Sequence, residues 1–250
     1  MPEGLATALA LPGLWWLIAA TLLAGLVYGF AGFGSALIFM PLATIFLAPS
    51  VAIGAFSMSV LASLLTVVPG AWKVADRKAV LGMVAAAVVA TPFGVYLLRV
   101  AEVGVIRAAV SVVVLATLMA LIAGWRYRLR PAWPARAAIG ALSGLLGGAT
   151  GLNGPPVILF NLGADQPVAV TRGNLTVFLT ASTLSFLPQL WVQGMLPPMA
   201  LWLGAILLLP FAIGTRAGGM IFHPDYAGFY RPVAYVIIGG AGLAGLPVWR

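Results

Sequence analysis

The sequence predicts an all-α polytopic membrane protein, and its composition and charge distribution predict that class. Of the 250 residues, 62% are hydrophobic and 7% are charged, whereas soluble domains average about 45–50% and about 25%. No charged residue occurs between Gly4 and Trp72, a stretch with room for roughly three membrane crossings at about 20 residues each. Segments such as Val84–Ala90 are apolar on every side, which differs from the alternating strands of a transmembrane barrel. The membrane-spanning elements are therefore predicted to be helices.

The charge-free windows divide the chain into two halves of similar organisation. The first half, residues 1–124, is predicted to contain a hairpin at 14–48 and helices at 50–71, 79–99 and 104–124. A basic linker follows at 125–136. The second half, residues 137–250, is predicted to contain a hairpin at 137–163 and helices at 168–193, 198–220 and 229–248. These elements amount to about 8–10 helices, including a broken or re-entrant hairpin in each half.

Lysine and arginine residues indicate how these helices are oriented. Many of them cluster in two short loops, at residues 73–78 and 126–136, and the two helices predicted between the loops return the chain to the same side. Short loops rich in Lys and Arg remain in the cytoplasm, so both clusters are predicted to be cytoplasmic. Because the cations are spread over helix ends, the net charge of +8 indicates topology and predicts no nucleic-acid partner.

The two halves are predicted to be repeats of inverted topology. Residues 25–32 align with residues 144–151 without a gap, and glycine occupies the first, fifth and last position of both segments. Arg107 corresponds to Arg231, and on the predicted topology these two residues lie on opposite sides of the membrane. Inverted repeats are typical of secondary transporters, whose binding site lies at the repeat interface near the midplane.

A break is predicted in the hairpin of each half. Residues 14–48 would form a helix of about 52 Å, too long for a hydrocarbon core of about 30 Å, so the chain must reverse at Gly29–Gly34. The second break is predicted at Gly147–Pro156, whose arms of about 11 and about 8 residues are too short to cross and indicate a re-entrant hairpin. Helices starting at Ser35 and near Pro155 would direct free N–H groups at the breaks, an arrangement that suits an anion.

The candidate binding residues follow from these breaks and from the polar residues of the helices after them. They are Gly32, Gly34, Ser35, Thr150, Gly151, Asn153 and Gly154 at the breaks, with Ser57, Arg172, Asn174 and Gln189 on the following helices. Each has a structural alternative. The glycines can serve helix packing, Arg172 can anchor the headgroup region, the hydroxyls can bond their own helix, and Gln189 can stabilise a kink.

These two glycine-rich segments resemble the signatures of the sulfite exporter TauE/SafE family, also called the toluene-sulfonate uptake permeases. Residues 29–42 (GFAGFGSALIFMPL) are similar to the first signature, which ends in Pro-Leu, and residues 144–156 are similar to the second. The resemblance extends from about Trp16 to Leu246. It implies a carrier of the bacterial inner membrane for small sulfur-containing or organic anions such as sulfite, sulfonates or sulfoacetate.

Carboxylates are absent from the middle of the predicted spans. Glu3, Asp76, Glu102, Asp165 and Asp225 all fall in predicted loops or tails, whereas a proton relay needs acids within the membrane. The sequence contains no cysteine, no phosphate-binding loop and no catalytic motif. It therefore predicts neither an enzyme, a cofactor nor a metal site.

The sequence thus predicts an exporter that works by alternating access. A negatively charged solute gains about 2.3 kcal/mol per 100 mV when it leaves a cell that is negative inside, so export can run without a coupling ion. The alternatives are an anion channel of the same fold, a non-transporting partner subunit and, less favoured, a membrane enzyme acting on lipid. The expected partners are a small anion and the lipid bilayer, and a homo-oligomer is compatible with the sequence.

Overall fold

A computed structural model describes residues 3–124, 132–163, 166–221 and 227–246, without the side chains of residues 163 and 227–231. Within these ranges the chain is helical and contains no strand. The helices are α1 (Glu3–Leu9), α2 (Leu14–Ala31), α3 (Ser35–Phe46), α4 (Pro49–Ser59), a 3-10 turn (Val60–Ala62), α5 (Ser63–Thr66), α6 (Val68–Val74), α7 (Arg77–Val100), α8 (Val103–Ile122), α9 (Trp133–Thr150), α10 (Gly154–Gly163), α11 (Val168–Leu184), α12 (Phe186–Val192), α13 (Pro198–Ile221) and α14 (Ala227–Ala244).

Six helical segments of the described residues are long and apolar enough to cross a membrane. They are Leu14–Ala31, Pro49–Thr66, Arg77–Val100, Val103–Ile122, Val168–Val192 and Pro198–Ile221. The prediction of an all-α polytopic membrane protein is confirmed.

Two of the predicted helices are interrupted. The segment predicted at 50–71 contains the 3-10 turn and is interrupted again at Val67 before α6. The segment predicted at 168–193 is divided between α11 and α12. Pro69 and Pro188 lie in the first turns of α6 and α12. Because proline has no N–H, neither residue can continue the hydrogen bonding of the preceding helix.

Both hairpins consist of one long helix followed by a short one. Helices α2 and α9 each have 18 residues, whereas α3 has 12 and α10 has 10. At 1.5 Å per residue the long helices measure about 27 Å and the short ones about 18 and about 15 Å. The short helices are therefore well below the thickness of a hydrocarbon core of about 30 Å. The short first arm predicted for the second hairpin is wrong. That arm is longer at both ends, because α9 already begins at Trp133, and because Gly147 and Gly148 remain helical so that the break begins only at Gly151.

The long helices of the two hairpins pack in the same way. Helix α2 lies against α13 and α9 lies against α7, with backbone touching backbone. Close approaches pair Gly25 with Phe211 and Gly29 with Thr215 in the first helix pair, and Gly144 with Ala87 and Gly148 with Thr91 in the second. From the first contact of each helix pair to the second, the residue number increases by four in both helices. The packed helices are therefore parallel. The shared pattern supports the predicted repeat, whose inversion across the membrane remains a prediction.

Asp76 joins three helices at one end of the molecule. Its side chain caps α7 by accepting a hydrogen bond from the Ala79 amide at 3.2 Å and lies 3.9 Å from Arg136 at the start of α9. Its amide donates to Asn174 Oδ1 near the start of α11 at 2.8 Å. Helices α7, α9 and α11 begin at this end of the molecule. We call it the basic end, because Lys73, Arg77 and Lys78 are close neighbours of Asp76 in the sequence.

Candidate functional site

Two glycines in the left-handed conformation form the first break. Gly32 ends α2 with a φ of 78°, and Gly34 precedes α3 with a φ of 96°. Glycine adopts this region more readily than residues with a Cβ. The Gly32 amide donates to the Tyr28 carbonyl at 2.9 Å and closes α2. A Cβ at Gly32 would also lie 2.7 Å from Cγ of Arg172, so both backbone angle and space favour glycine here.

Helix α3 begins at Ser35, as predicted, and its first amides are uncapped by side chains. Ile38 donates to the Gly34 carbonyl at 3.1 Å and begins the regular hydrogen bonding of the helix. The amides of Ser35, Ala36 and Leu37 therefore lack partners within the helix. These amides and the positive end of the helix dipole provide a donor set that suits an anion.

The second break repeats the turn of the first. Gly151 ends α9 with a φ of 78°, and its amide donates to the Gly147 carbonyl at 2.7 Å. The neighbouring Thr150 hydroxyl donates to the Leu146 carbonyl at 2.7 Å and accepts the Leu152 amide at 3.2 Å. The one hydroxyl hydrogen of Thr150 is therefore engaged in a hydrogen bond within the last turn of α9.

The start of α10 differs from the start of α3 because it carries two prolines. The helix begins at Gly154, followed by Pro155 and Pro156, which have no N–H to offer. The predicted helix start near Pro155 is confirmed. However, the second break presents fewer backbone donors than the first, an asymmetry that glycine spacing alone does not reveal.

Asn153 connects the second break to α11. Its side-chain nitrogen donates to Ser182 Oγ at 2.7 Å and to Thr183 Oγ1 at 2.9 Å. The residue is buried, with 1% of its surface exposed. These bonds hold the amide in one orientation beside the start of α10.

Both breaks line one buried cavity, which we call the central cavity. Its walls include Gly34 and Ser35 from the first break and Asn153 and Gly154 from the second. The remaining lining residues are Tyr28, Ala36, Leu37, Phe56, Val60, Ile158, Leu179 and Thr183. The space between atoms amounts to ≈ 330 Å³, but the centre of a water molecule can occupy only ≈ 10 Å³ of it. The larger volume includes open solvent, whereas the smaller one corresponds to roughly one water. The cavity is therefore constricted.

Of the eleven predicted site residues, seven do not line the central cavity: Gly32, Thr150 and Gly151 at the breaks, and Ser57, Arg172, Asn174 and Gln189 on the following helices. Ser57 is buried in α4, where its hydroxyl donates to the Ile53 carbonyl at 2.7 Å. Asn174 lies at the basic end, where it accepts the Asp76 amide. Gln189 is half-buried on α12. The structure therefore does not bring Ser57, Asn174 and Gln189 together with the breaks at this cavity.

Arg172 lies at a second cavity, which we call the vestibule. It is an open space of ≈ 300 Å³, measured as the volume open to the centre of a water molecule. It is lined by Thr66, Val67, Gly70, Ala71, Arg172, Thr215, Arg216, Gly219 and Met220. The Arg172 guanidinium donates to the Gly29 carbonyl, in the last turn of α2, where the helix dipole favours a cation.

One face of α11 leads from the vestibule to the central cavity. Arg172, Thr176, Thr180 and Thr183 are spaced so that they share that face. Between the two cavities, the Tyr28 hydroxyl lies 2.8 Å from both the Thr176 carbonyl and Thr180 Oγ1. Tyr28 is thus a functional candidate absent from the sequence prediction, although it lies within the repeated segment 25–32, directly before the first glycine-rich signature.

The comparison with protein families agrees with this arrangement. The model of one family, described as sulfite exporter TauE/SafE, matches residues 17–245, a range that contains both breaks, the central cavity and the vestibule. The chain matches no curated protein and no solved structure. The family consists of membrane transporters and not of enzymes. The resemblance inferred from the two glycine-rich segments is confirmed: the chain belongs to the sulfite exporter TauE/SafE family.

Proposed function

We propose that this protein exports small sulfur-containing or organic anions, such as sulfite, sulfonates or sulfoacetate, from the bacterial cytoplasm. It does so by alternating access around the central cavity, with the basic end facing the cytoplasm. The observation that carries this proposal is that the two breaks, more than 100 residues apart in sequence, line the same cavity. Irregular backbone is tolerated at membrane depth where protein or a wet cavity surrounds it, and at this position it can serve a solute.

The donors of the central cavity suit an oxyanion. The amides of Ser35, Ala36 and Leu37 lack helical partners, and within the described residues the Ser35 hydroxyl makes no hydrogen bond. Hydrogen bonds from such donors to an ionised oxygen are about twice as strong as those between neutral groups. The lining residues of the cavity include no charged side chain, so binding depends on oriented dipoles.

The constriction of the central cavity favours a carrier over an open channel. The vestibule leads in from the basic end, but the central cavity has room for roughly one water. A solute the size of sulfite therefore requires the walls to move apart. Such movement is expected if the two halves rock against each other, as in transporters with inverted repeats.

The positions of the carboxylates favour uncoupled export. Among the described residues, Glu3 begins α1 and Asp76 and Glu102 precede α7 and α8. No group of three or more His, Cys, Asp or Glu that could hold a metal ion occurs in the same part of the chain. Because the described residues place no acid in mid-span to relay protons, the membrane potential is the proposed driving force.

Sulfite flux from vesicles containing the purified chain tests this proposal. We expect saturable efflux that accelerates when a potassium diffusion potential makes the interior negative, because each outward charge gains about 2.3 kcal/mol per 100 mV. Protein-free vesicles and vesicles with the opposite potential are the controls. A flux that does not depend on the membrane potential would contradict electrogenic export. Single-channel currents would identify a channel. No flux for any tested anion would indicate a partner subunit.

Replacing Ser35 with alanine is expected to raise the KM for sulfite about tenfold, because an anion would lose one hydrogen bond worth about 1.5 kcal/mol. Stability should change little, since the Ser35 hydroxyl bonds no described residue. The matched control is Ser57→Ala, which removes a hydroxyl bonded to its own helix and should leave KM unchanged. Concentration-dependent flux measures both, and equal KM values for the two variants would remove Ser35 from the site.

A further inference from the structure

We propose that a closed passage, bordered by Ser63 and by the face of α11 that carries Thr176 and Thr180, joins the vestibule to the central cavity. In this passage Ser63 contacts the moving solute, and Tyr28 is the gate that is shut in this structure. This inference rests on the proposed function, because it names the route by which a solute reaches the central cavity. Ser63 is absent from the predicted site residues.

The Ser63 hydroxyl is an exception on its own segment. It is fully buried and has no hydrogen-bond partner among the residues that the structure describes. The neighbouring hydroxyls of Ser57, Ser59 and Thr66 donate to carbonyls of the preceding turn at 2.7, 2.7 and 3.0 Å, as helical hydroxyls commonly do. Because an unpaired buried hydroxyl destabilises a protein, its presence indicates a functional use.

Ser63 lies between the two cavities along the chain. Val60, three residues before it, lines the central cavity, and Thr66, three residues after it, lines the vestibule. Val60 begins the 3-10 turn, in which side chains three residues apart eclipse each other. Residues three apart in an α-helix also share a face. Ser63 is therefore on the same face as the two residues that line the cavities.

The opposite border of the passage is the polar face of α11. This helix packs against the 3-10 turn, and both Thr176 and Thr180 on that face are buried. Hydroxyl groups thus border the passage from both halves of the chain, Ser63 and Thr66 from the first and the threonines of α11 from the second. Movement of the halves apart would open a route lined by neutral donors, which suits a solute that must also leave.

Tyr28 connects the two halves across this route. Its hydroxyl lies 2.8 Å from both the Thr176 carbonyl and Thr180 Oγ1. Because tyrosine has one hydroxyl hydrogen, it donates to the carbonyl and accepts from Thr180. Its ring lines the central cavity and packs against Phe211 with 6.2 Å between ring centroids. Hydrogen bonds between neutral groups contribute little net stability, so this contact can break and re-form during transport.

Thiol labelling of the purified chain in lipid nanodiscs tests the gate, because the sequence contains no cysteine. Ser63→Cys introduces a single reporter, and the probe is sulfonatoethyl methanethiosulfonate, a thiol reagent that carries a sulfonate. We expect slow labelling of this variant. Labelling should be about tenfold faster when Tyr28→Phe is added, because phenylalanine keeps the ring but loses two hydrogen bonds whose net contribution is of this order.

Ser111→Cys is the matched control for labelling. Ser111 on α8 is also fully buried and lacks a partner within the described ranges, but it lines neither cavity. Its labelling should stay slow with and without Tyr28→Phe. Equal acceleration at both positions would mean that Tyr28→Phe loosens the whole protein. That result, or no acceleration in the Ser63→Cys chain, would overturn the inference.

Alanine variants test whether Ser63 contacts the solute. Ser63→Ala should lower the maximal rate of sulfite flux about tenfold, because an anion in the passage loses one hydrogen bond. The KM should change little, in contrast to Ser35→Ala. The melting temperature should be equal or higher, because the variant removes an unpaired buried hydroxyl, whereas a structural role would lower it. Ser111→Ala should leave flux unchanged. A maximal rate equal to that of the wild type would exclude Ser63 as a solute contact.

The two measurements separate this inference from the export proposal. Normal sulfite flux, together with labelling of Ser63→Cys that does not respond to Tyr28→Phe, would overturn the gated passage and leave export intact. Labelling that accelerates in Ser63→Cys and not in Ser111→Cys, in a chain that transports no anion, would support the gated passage and refute export.

Discussion

Replacing Gly144 with alanine is expected to lower the free energy of unfolding by about 1–3 kcal/mol, the range for overpacking a close contact. A Cβ at this position would lie 2.1 Å from the Ala87 carbonyl oxygen. Because that oxygen belongs to the backbone of α7, the clash can be relieved only by moving one helix away from the other. The loss should appear as a lower apparent melting temperature of the purified protein in detergent.

Gly218→Ala should produce a similar loss in the other helix pair, since a Cβ there would lie 2.1 Å from the Leu26 carbonyl oxygen. The matched control is Gly82→Ala in α7, the helix that packs against α9, where the nearest atom would be Nε1 of Trp133 at 3.8 Å. Alanine should be neutral or stabilising at this site, because it favours helix by about 1 kcal/mol over glycine. Equal melting temperatures for Gly144→Ala and Gly82→Ala would contradict the close packing described for α7 and α9.

The second large effect is expected for Asn153→Asp, which should reduce sulfite flux at least a hundredfold. A carboxylate about 4 Å from a bound anion would repel it by about 4 kcal/mol at an effective dielectric constant of about 20. The substitution also removes the nitrogen that donates to Ser182 and Thr183, so the second break would lose its orientation as well. Flux per folded protein, with folding checked by size-exclusion profile, is the measurement.

Asn161→Asp is the control for placing an acid in the protein interior. Asn161 is buried on α10 and bonds the Val157 carbonyl at 3.0 Å, but it does not line the central cavity. Both variants should lose stability, because burying an acid is costly wherever it occurs. We expect Asn161→Asp to retain most of its flux per folded protein. If both variants lost the same fraction, the effect of Asn153→Asp would reflect misfolding and not repulsion at a site.

The sequence predicted the breaks better than their flanking helices. Local sequence is enough to predict three features of the breaks, namely the left-handed turns at Gly32 and Gly151 and the helix start at Ser35. The end of α9 does not, because Gly147 and Gly148 resemble a helix break in sequence and remain helical in the structure. At Gly148 the reason is contact with α7, where a Cβ would lie 2.5 Å from the Thr91 carbonyl oxygen.

For similar reasons, the structure places some of the candidate residues at the central cavity and others away from it. Ser35 and Asn153 were predicted from their positions beside a break, and the structure places both at the central cavity. Ser57 and Asn174 were chosen as polar residues of the helices that follow the breaks, and this criterion does not determine the face of the helix on which a side chain lies. Tyr28 was missed because its contacts with α11 join residues 148 and 152 positions apart. The spacing of polar residues along α11 was the available signal.

The prolines that follow Gly154 make the two walls of the central cavity unlike each other. Amide hydrogens come mainly from the α3 wall, while the opposite helix start has two ring nitrogens that carry no hydrogen. If the cavity binds the solute, as proposed, a molecule with its oxygens grouped at one end and carbon at the other can satisfy both walls at once. A sphere of uniform charge can satisfy only one, so we expect the proposed site to discriminate by the head-to-tail shape of the solute as well as by its charge.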